Sequence, residues 1–363
     1  MDFTRVCACD VVALYSAIAD GAGTSSISMY SFNYLSHRVH LIDTPGFDDS
    51  YRSESEILQE VAYWLTKAYQ NGFLLNGIVY LYSIAQPRWT ASAEKSLAVL
   101  KALCGPESYE AVVLATTFWD LVDRDEAHDR ARQLVQNHAR WGEMTAAGSM
   151  VRAHAAGYPS AMEIIKHIVT RDKKYTLLIQ REMDHTNKEL LDTTAGREVH
   201  RLWIRDIENF KRKLNDTRAD VTSKSRESKQ RLKEEIASLE KAIATRQDDI
   251  SDLSQTTHEL HQEWEARIKA DVTRLERELA KCQEELTLVR RGRVDSVPSG
   301  ALNGRVHDED LERRLDQRKN ELNQEKMTKL TSYGMVAGVA SALFGGVSVA
   351  ITAAPILLSC CIA

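Results

Sequence analysis

The sequence predicts an α/β domain with a mostly parallel sheet and flanking helices, then a long coiled-coil helix and a C-terminal hydrophobic helix. Three observations lead there. In the first half, short apolar strands alternate with amphipathic helices, as in a parallel sheet with helical crossovers. From about residue 180 to 330 Lys, Arg, Glu, Asp and Gln dominate, with apolar residues at heptad spacing. From Tyr333 to Ala363 no residue is charged.

The elements follow in order. Residues 1–23 read as a degenerate or truncated N-terminus, with Asp10 to Ala19 closer to a short helix than to a strand. Residues 27–34 alternate and form a strand, Leu35-Ser36 a turn, and 37–43 a second strand. Ser53 to Asn71 is a helix; Ser53 with Glu56 three residues on makes a capping box. Ile57, Leu58, Val61, Trp64, Leu65 and Ala68 supply its apolar stripe. Asn76-Gly77 opens the strand 78–84. A helix from Thr90 to Leu103 stops at Cys104-Gly105-Pro106. Residues 111–116 form a buried strand. Helices at 125–141 and 160–171 bracket a weak strand near 149–154.

In the second half, Leu232, Ile236, Leu239, Ile243, Ile250, Leu253, Leu260 and Trp264 recur at steps of three and four. The phase slips across Trp264, Ile268 and Val272 and resumes at Leu275, a coiled coil with one stutter. A continuous helix from 232 to 289 would run roughly 87 Å. The expected divisions are a domain at 24–172, a coiled coil at 180–290, a linker at 291–307, a charged helix at 308–331 and an apolar segment at 333–363. Residues 334–354 would span about 31 Å as a helix, enough for a bilayer core. Gly334, Gly338, Ala342, Gly346 and Ala350 give that stretch a small-residue face, and Lys326 and Lys329 flank it. The expectation is a candidate transmembrane anchor with the α/β domain on the cytoplasmic face, otherwise a cytoplasmic protein. The terminal Cys360-Cys361-Ile362-Ala363 has the form of a prenylation box but follows an apolar stretch instead of a polar tail.

The net charge of −5, with both signs interleaved, gives no basic field and argues against nucleic acid as a partner. The six cysteines lack metal-ligand spacing, and nothing resembles a secretory signal.

Two motifs carry chemistry. Asp43-Thr44-Pro45-Gly46-Phe47-Asp48-Asp49 follows the apolar run Val39-His40-Leu41-Ile42. A carboxylate at a strand end suits the Mg²⁺ shell of a bound triphosphate. A Gly three residues on lets a backbone N–H approach a phosphate with no Cβ in the way. Thr116-Thr117-Phe118-Trp119-Asp120 ends another apolar strand. Its Thr117 and Asp120 have the spacing of the N/T-K-x-D guanine motif, with Phe118 in place of the lysine as an aromatic that can stack.

On these residues, together with the Ser53–Asn71 helix and the Ile-Val-Tyr-Leu-Tyr strand, the chain resembles septin-like or immunity-associated (avirulence-induced) type GTPases, over about residues 24–171. The resemblance implies a P-loop GTPase-like sheet, GTP or GDP as ligand, Mg²⁺ with the nucleotide, and often a coiled-coil or membrane-associated extension. It implies Asp43, Gly46, Thr117 and Asp120 as GTP-binding residues, and Asp43 with the switch I position Thr24 at the metal. Ser160-Ala161 is either the last guanine-contacting backbone or the N-cap of its helix. No catalytic residue is assigned, since no water-orienting Gln stands out. The family pattern is broken at one place: no G-x-x-x-x-G-K-[ST] occurs, no lysine precedes Lys67, and the first strand of the usual sheet is not recognisable. The chain therefore reads as a GTP-binding, GTPase-like membrane-associated protein with a self-associating stalk and weakened or lost activity. It is either a piece of a longer GTPase or a degenerate one. The other reading is a membrane-anchored coiled-coil scaffold whose GTPase-like domain is inert.

Overall fold

A computed structural model describes residues 27–35, 37–46, 52–155, 157–171, 173–221, 226–295, 302–337 and 356–362. The chain divides into two units: residues up to 260 together with 350–363, and residues 261–349.

The first unit is built on a six-stranded sheet. β1 (Ser28–Tyr34) and β2 (His37–Asp43) form the expected antiparallel hairpin, turning at Leu35, which takes a positive φ of 45°. β3 (Leu75–Ser83), β4 (Val112–Thr117) and β5 (Met150–Ala153) are parallel neighbours. The order is β1-β2-β6-β3-β4-β5, where β6 is Ile356–Ile362. β6 runs parallel to both neighbours, from Val39↔Ile356 to Asp43↔Cys360 on one side and Leu75↔Leu357 to Leu81↔Ile362 on the other. This corrects one expectation. Within the apolar segment expected at 333–363, residues 356–362 form a strand, which the sequence reading does not mark; a short apolar run satisfies either period, and here two flanking ladders decide it.

Helices cover the sheet. α1 (Glu54–Gln70) starts where Ser53 Oγ accepts from the Glu56 backbone N–H at 3.1 Å. α2 (Ala91–Cys104) is capped by Thr90 and ends at Gly105, whose φ is +75°. α3 (Arg124–Gln136) is capped by Asp123. The helix expected over 125–141 breaks at Asn137, and a five-residue turn with a kink at Arg140 follows. α4 (Tyr158–Arg171) lays Met162, Ile165, Ile168 and Val169 against Val39, Leu41, Val79, Val113 and Ala115. Those sheet residues sit at alternate positions, as one face of a pleated sheet requires.

α5 (Thr194–Val221) and α6 (Arg226–Leu253) pack along each other, α5 also against α2 and α6 against α1. α7 (Thr257–Asp295) follows after the break at Ser254–Thr256. The heptad residues 232–289 thus form two helices and not one continuous rod. Those up to Leu253 belong to the α/β unit, where Leu239 and Leu253 are buried.

The second unit is an antiparallel helical hairpin of α7 and α8 (Leu302–Ala337). Leu275, Leu279, Cys282 and Leu322 form its core. Lys329 pairs with Asp271 at 2.6 Å, Lys326 with Glu276 at 2.7 Å and Arg290 with Glu312 at 2.8 Å. The linker expected at 291–307 is shorter, since α7 reaches Asp295 and α8 begins at Leu302. Among the described residues no helix is long and apolar enough to cross a membrane. Of the expected span 334–354, residues 334–337 end α8 and the rest lie outside the described residues.

Candidate functional site

The site builds from the carboxyl ends of the parallel strands, where ligands sit in open α/β sheets. Asp43 is the last residue of β2 and only 5% exposed; Thr44 and Pro45 are buried behind it and Gly46 is half-buried. Phe47, Asp48, Asp49 and Thr24 lie outside the described residues, as does the Asp10–Ala19 segment.

Thr116 and Thr117 end β4. Thr117 Oγ1 is turned into the sheet, donating to Tyr82 O at 3.4 Å, and its carbonyl accepts from Ile84 N at 3.0 Å. Phe118 then takes a left-handed conformation (φ 60°, ψ 39°). That reversal turns the chain off the sheet edge and places Asp120 in a short 3-10 turn, exposed, with no ion pair among the described residues. Trp119 fixes the turn: its Nε1 donates to Thr116 O and Oγ1, both at 3.0 Å, and its ring stacks edge-on against His128 at 5.1 Å.

Neighbouring loops are tied to the same edge. Arg130 donates to the carbonyls of Ile84 and Ala85 at 2.9 and 3.1 Å. His154 N donates to Thr116 O at 2.7 Å, anchoring the end of β5. Buried His154, its pKa lowered by that burial, meets Ser160 Oγ at 2.8 Å through Nδ1. Ser160 lies inside the first turn of α4, so the N-cap reading of that residue does not hold. The His154–Ser160 contact was not foreseen; a histidine at a strand end six residues before a helical serine was its only trace.

The structure thus puts Asp43, Gly46, Thr117 and Asp120 on one edge of one sheet. β2 and β4, which lead into Asp43 and the Asp120 turn, lie three strand positions apart, roughly 14 Å at the usual strand spacing. A nucleotide lying along the edge could meet Asp43 with its phosphates and Asp120 with its base. Among the described residues no group of three His, Cys, Asp or Glu is placed to hold a metal. A single buried carboxylate does fit Mg²⁺, which takes one or two carboxylates and fills its shell with phosphate and water oxygens. The position between β2 and β3 is held by β6. No protein-family model and no curated protein matches the chain.

Proposed function

We propose that the first unit is a guanine-nucleotide-binding domain of septin-like or immunity-associated GTPase ancestry, working as a switch module. The observation that carries this reading is the shared edge: the D-T-P-G loop and the T-T-F-W-D turn leave parallel strands on the same side of the sheet. In this reading Mg²⁺ would neutralise phosphate charge beside Asp43. Gly46 offers a backbone N–H to the terminal phosphate, and the Asp120 carboxylate accepts from the guanine N1–H and amino group. Thr117 holds the β4 end in place, and Phe118 presents an aromatic surface beside the base. Thr24 and a C-terminal membrane anchor belong to the same proposal, with self-association through the helical hairpin.

A second reading rests on its own observation: with no lysine before Lys67 and no phosphate loop in the sequence, most of the usual phosphate grip is missing. The protein would then be an anchored helical scaffold with an inert nucleotide fold. Titrating the full chain with fluorescent GTP in Mg²⁺ separates the two. Saturable binding that competes with GTP but not ATP, and is weakened with loss of that preference in Asp120→Ala, supports the switch. A folded chain with no detectable binding leaves the scaffold.

A further inference from the structure

The tip of β3 carries a cluster of hydrogen-bond donors that lacks acceptors. Tyr82 is the last residue but one of the strand. It lies on the face opposite α4, because Val79 and Leu81 take the α4 side. Its ring centroid stands 5.2 Å from that of Trp89, in the loop before α2, and 6.0 Å from that of Trp141, edge-on. Arg140, in the turn after α3, places its guanidinium carbon 5.3 Å from the Trp89 ring centroid, a cation–π contact. Arg130 holds the loop leading to Trp89 through the Ile84 and Ala85 carbonyls.

Three polar groups of this cluster have no hydrogen-bond or ion partner among the described residues. Trp141 is fully buried, and its Nε1–H finds no acceptor. Tyr82 is 6% exposed, and its hydroxyl makes no hydrogen bond. Arg140 forms no ion pair, since Glu143 and Glu126 of the adjoining segments pair with Lys101 and Arg130. Burial raises the Tyr82 pKa while the charges of Arg140 and Arg130 oppose the rise, so the hydroxyl keeps its proton with both cations in electrostatic reach.

Buried donors in folded proteins are almost always satisfied, so these call for an acceptor. One water does not supply it. A water accepts from two donors and needs acceptors for its own protons, and the Tyr82 oxygen is the one acceptor these three side chains offer. An oxyanion only accepts. A carboxylate presents two oxygens, whereas a phosphate presents enough for a guanidinium, a phenol and an indole together.

We propose that Arg140, Tyr82 and Trp141 form an oxyanion site of the phosphate class at the tip of β3. The site is distinct from Asp43, which is level with Val79 in the sheet register; Tyr82 is three residues further along and two strands away. It stands without the nucleotide reading above. Its phosphate belongs either to a bound nucleotide or to a separate phosphorylated ligand.

The test uses the full chain with ¹⁵N-labelled tryptophan, its six indole N–H signals assigned by Trp→Phe variants. On titration with inorganic phosphate at constant ionic strength, the Trp141 signal should shift and saturate, with no such shift from chloride. Arg140→Ala should raise the apparent Kd for phosphate by roughly tenfold or more, the scale of a lost charged hydrogen bond. Tyr82→Phe, which keeps the ring in place, should raise it by a smaller factor, and decides alone if Arg140→Ala does not fold. A Trp141 signal that ignores inorganic phosphate, or follows chloride equally, overturns the site, as does undiminished phosphate binding in the variants. Mg²⁺-GTP forms the second arm. A Trp141 shift with GTP that is weakened in Asp120→Ala assigns the phosphate to the nucleotide. A response to inorganic phosphate with none to GTP assigns it to a separate ligand. Loss of all GTP binding with the inorganic phosphate response intact removes the nucleotide reading and leaves this site standing.

Discussion

His40 Nδ1 and Ser31 Oγ meet at 2.8 Å across the β1–β2 hairpin, from positions directly opposite in the register. Burial, helped by the charge of Arg38, lowers the His40 pKa from 6.5 to about 4. Between those values the unfolded chain takes a proton that the folded chain refuses, so stability falls as pH drops. The contribution is full above pH 6.5 and is lost progressively on the way down to about 4. Converted at the usual rate this is at most ~3 kcal/mol, and less because the ring keeps some contact with water. Urea midpoints at pH 7.5 and 4.5 should show the loss, and His40→Gln should flatten it. An equal slope in the variant would assign the acid sensitivity elsewhere.

The start of α5 has no room for a side chain at Gly196. A Cβ there would lie 2.0 Å from the Leu190 carbonyl oxygen, and that backbone is held by Thr193 Oγ1, which donates to the same carbonyl at 2.7 Å. Gly196→Ala should therefore cost more than a usual overpacked site, about 3 kcal/mol. Thermal unfolding of the variant, against Gly148→Ala as a control whose nearest neighbour would be 3.5 Å away, measures it. The control carries its own cost from a φ of +102°, so the informative quantity is the difference.

Trp203 is fully buried and ties α5 to α1 through its indole N–H to Glu54 at 2.8 Å. Trp203→Phe keeps most of the ring but removes the donor to a carboxylate, a loss of about 2 kcal/mol. The double variant Trp203→Phe, Arg246→Ala should fall short of the sum of the singles, since both donate to Glu54 at 2.8 Å. Strict additivity would show that they act independently.

Asp43 and Asp120 should fail in different ways. If the proposed nucleotide site is right, Asp43→Asn removes a negative charge beside the Mg²⁺ and should weaken binding of Mg²⁺-GTP while leaving the preference for guanine intact. Asp120→Ala should lower affinity for GTP by roughly 1–3 kcal/mol, the scale of a lost charged hydrogen bond, and abolish the preference over ATP. Competition titrations with GTP, ATP and EDTA present or absent distinguish the two. A variant at Asp43 that altered guanine selectivity would contradict the assigned orientation.

Local signals made the sheet legible. The alternation of β1, the Ser53 cap, the Gly105 stop and the apolar run of β4 each specify one element through nearby residues, and each is found in the structure. The strand-end positions of Asp43 and Asp120 followed from the same signals. What escaped depends on partners distant in sequence. Leu239, Ile243 and Leu253 carry a heptad spacing that suits a coiled coil or a helix laid on a domain equally well, and only Ser55, Glu54 and Gln59, bonded to Asp249, Arg246 and Asp252 of that helix, show which applies. Asn137 breaks a helical pattern by capping a new turn, its Oδ1 accepting from Ala139 N at 3.0 Å. Ile356–Ile362 is not marked as a strand because nothing nearby says that two strands some hundreds of residues earlier leave a gap of its width.

That gap has a consequence for how the protein is made. Synthesis delivers β2 and β3 first, and the strand that joins them about three hundred residues later, a separation that makes the pairing slow to close. Until it arrives, the two halves of the sheet each end in an unsatisfied row of amides and carbonyls, the surface from which misassembly between neighbouring nascent chains begins. Closure of the sheet by β6 should therefore be a late step in refolding, slower than formation of the β1–β2 hairpin.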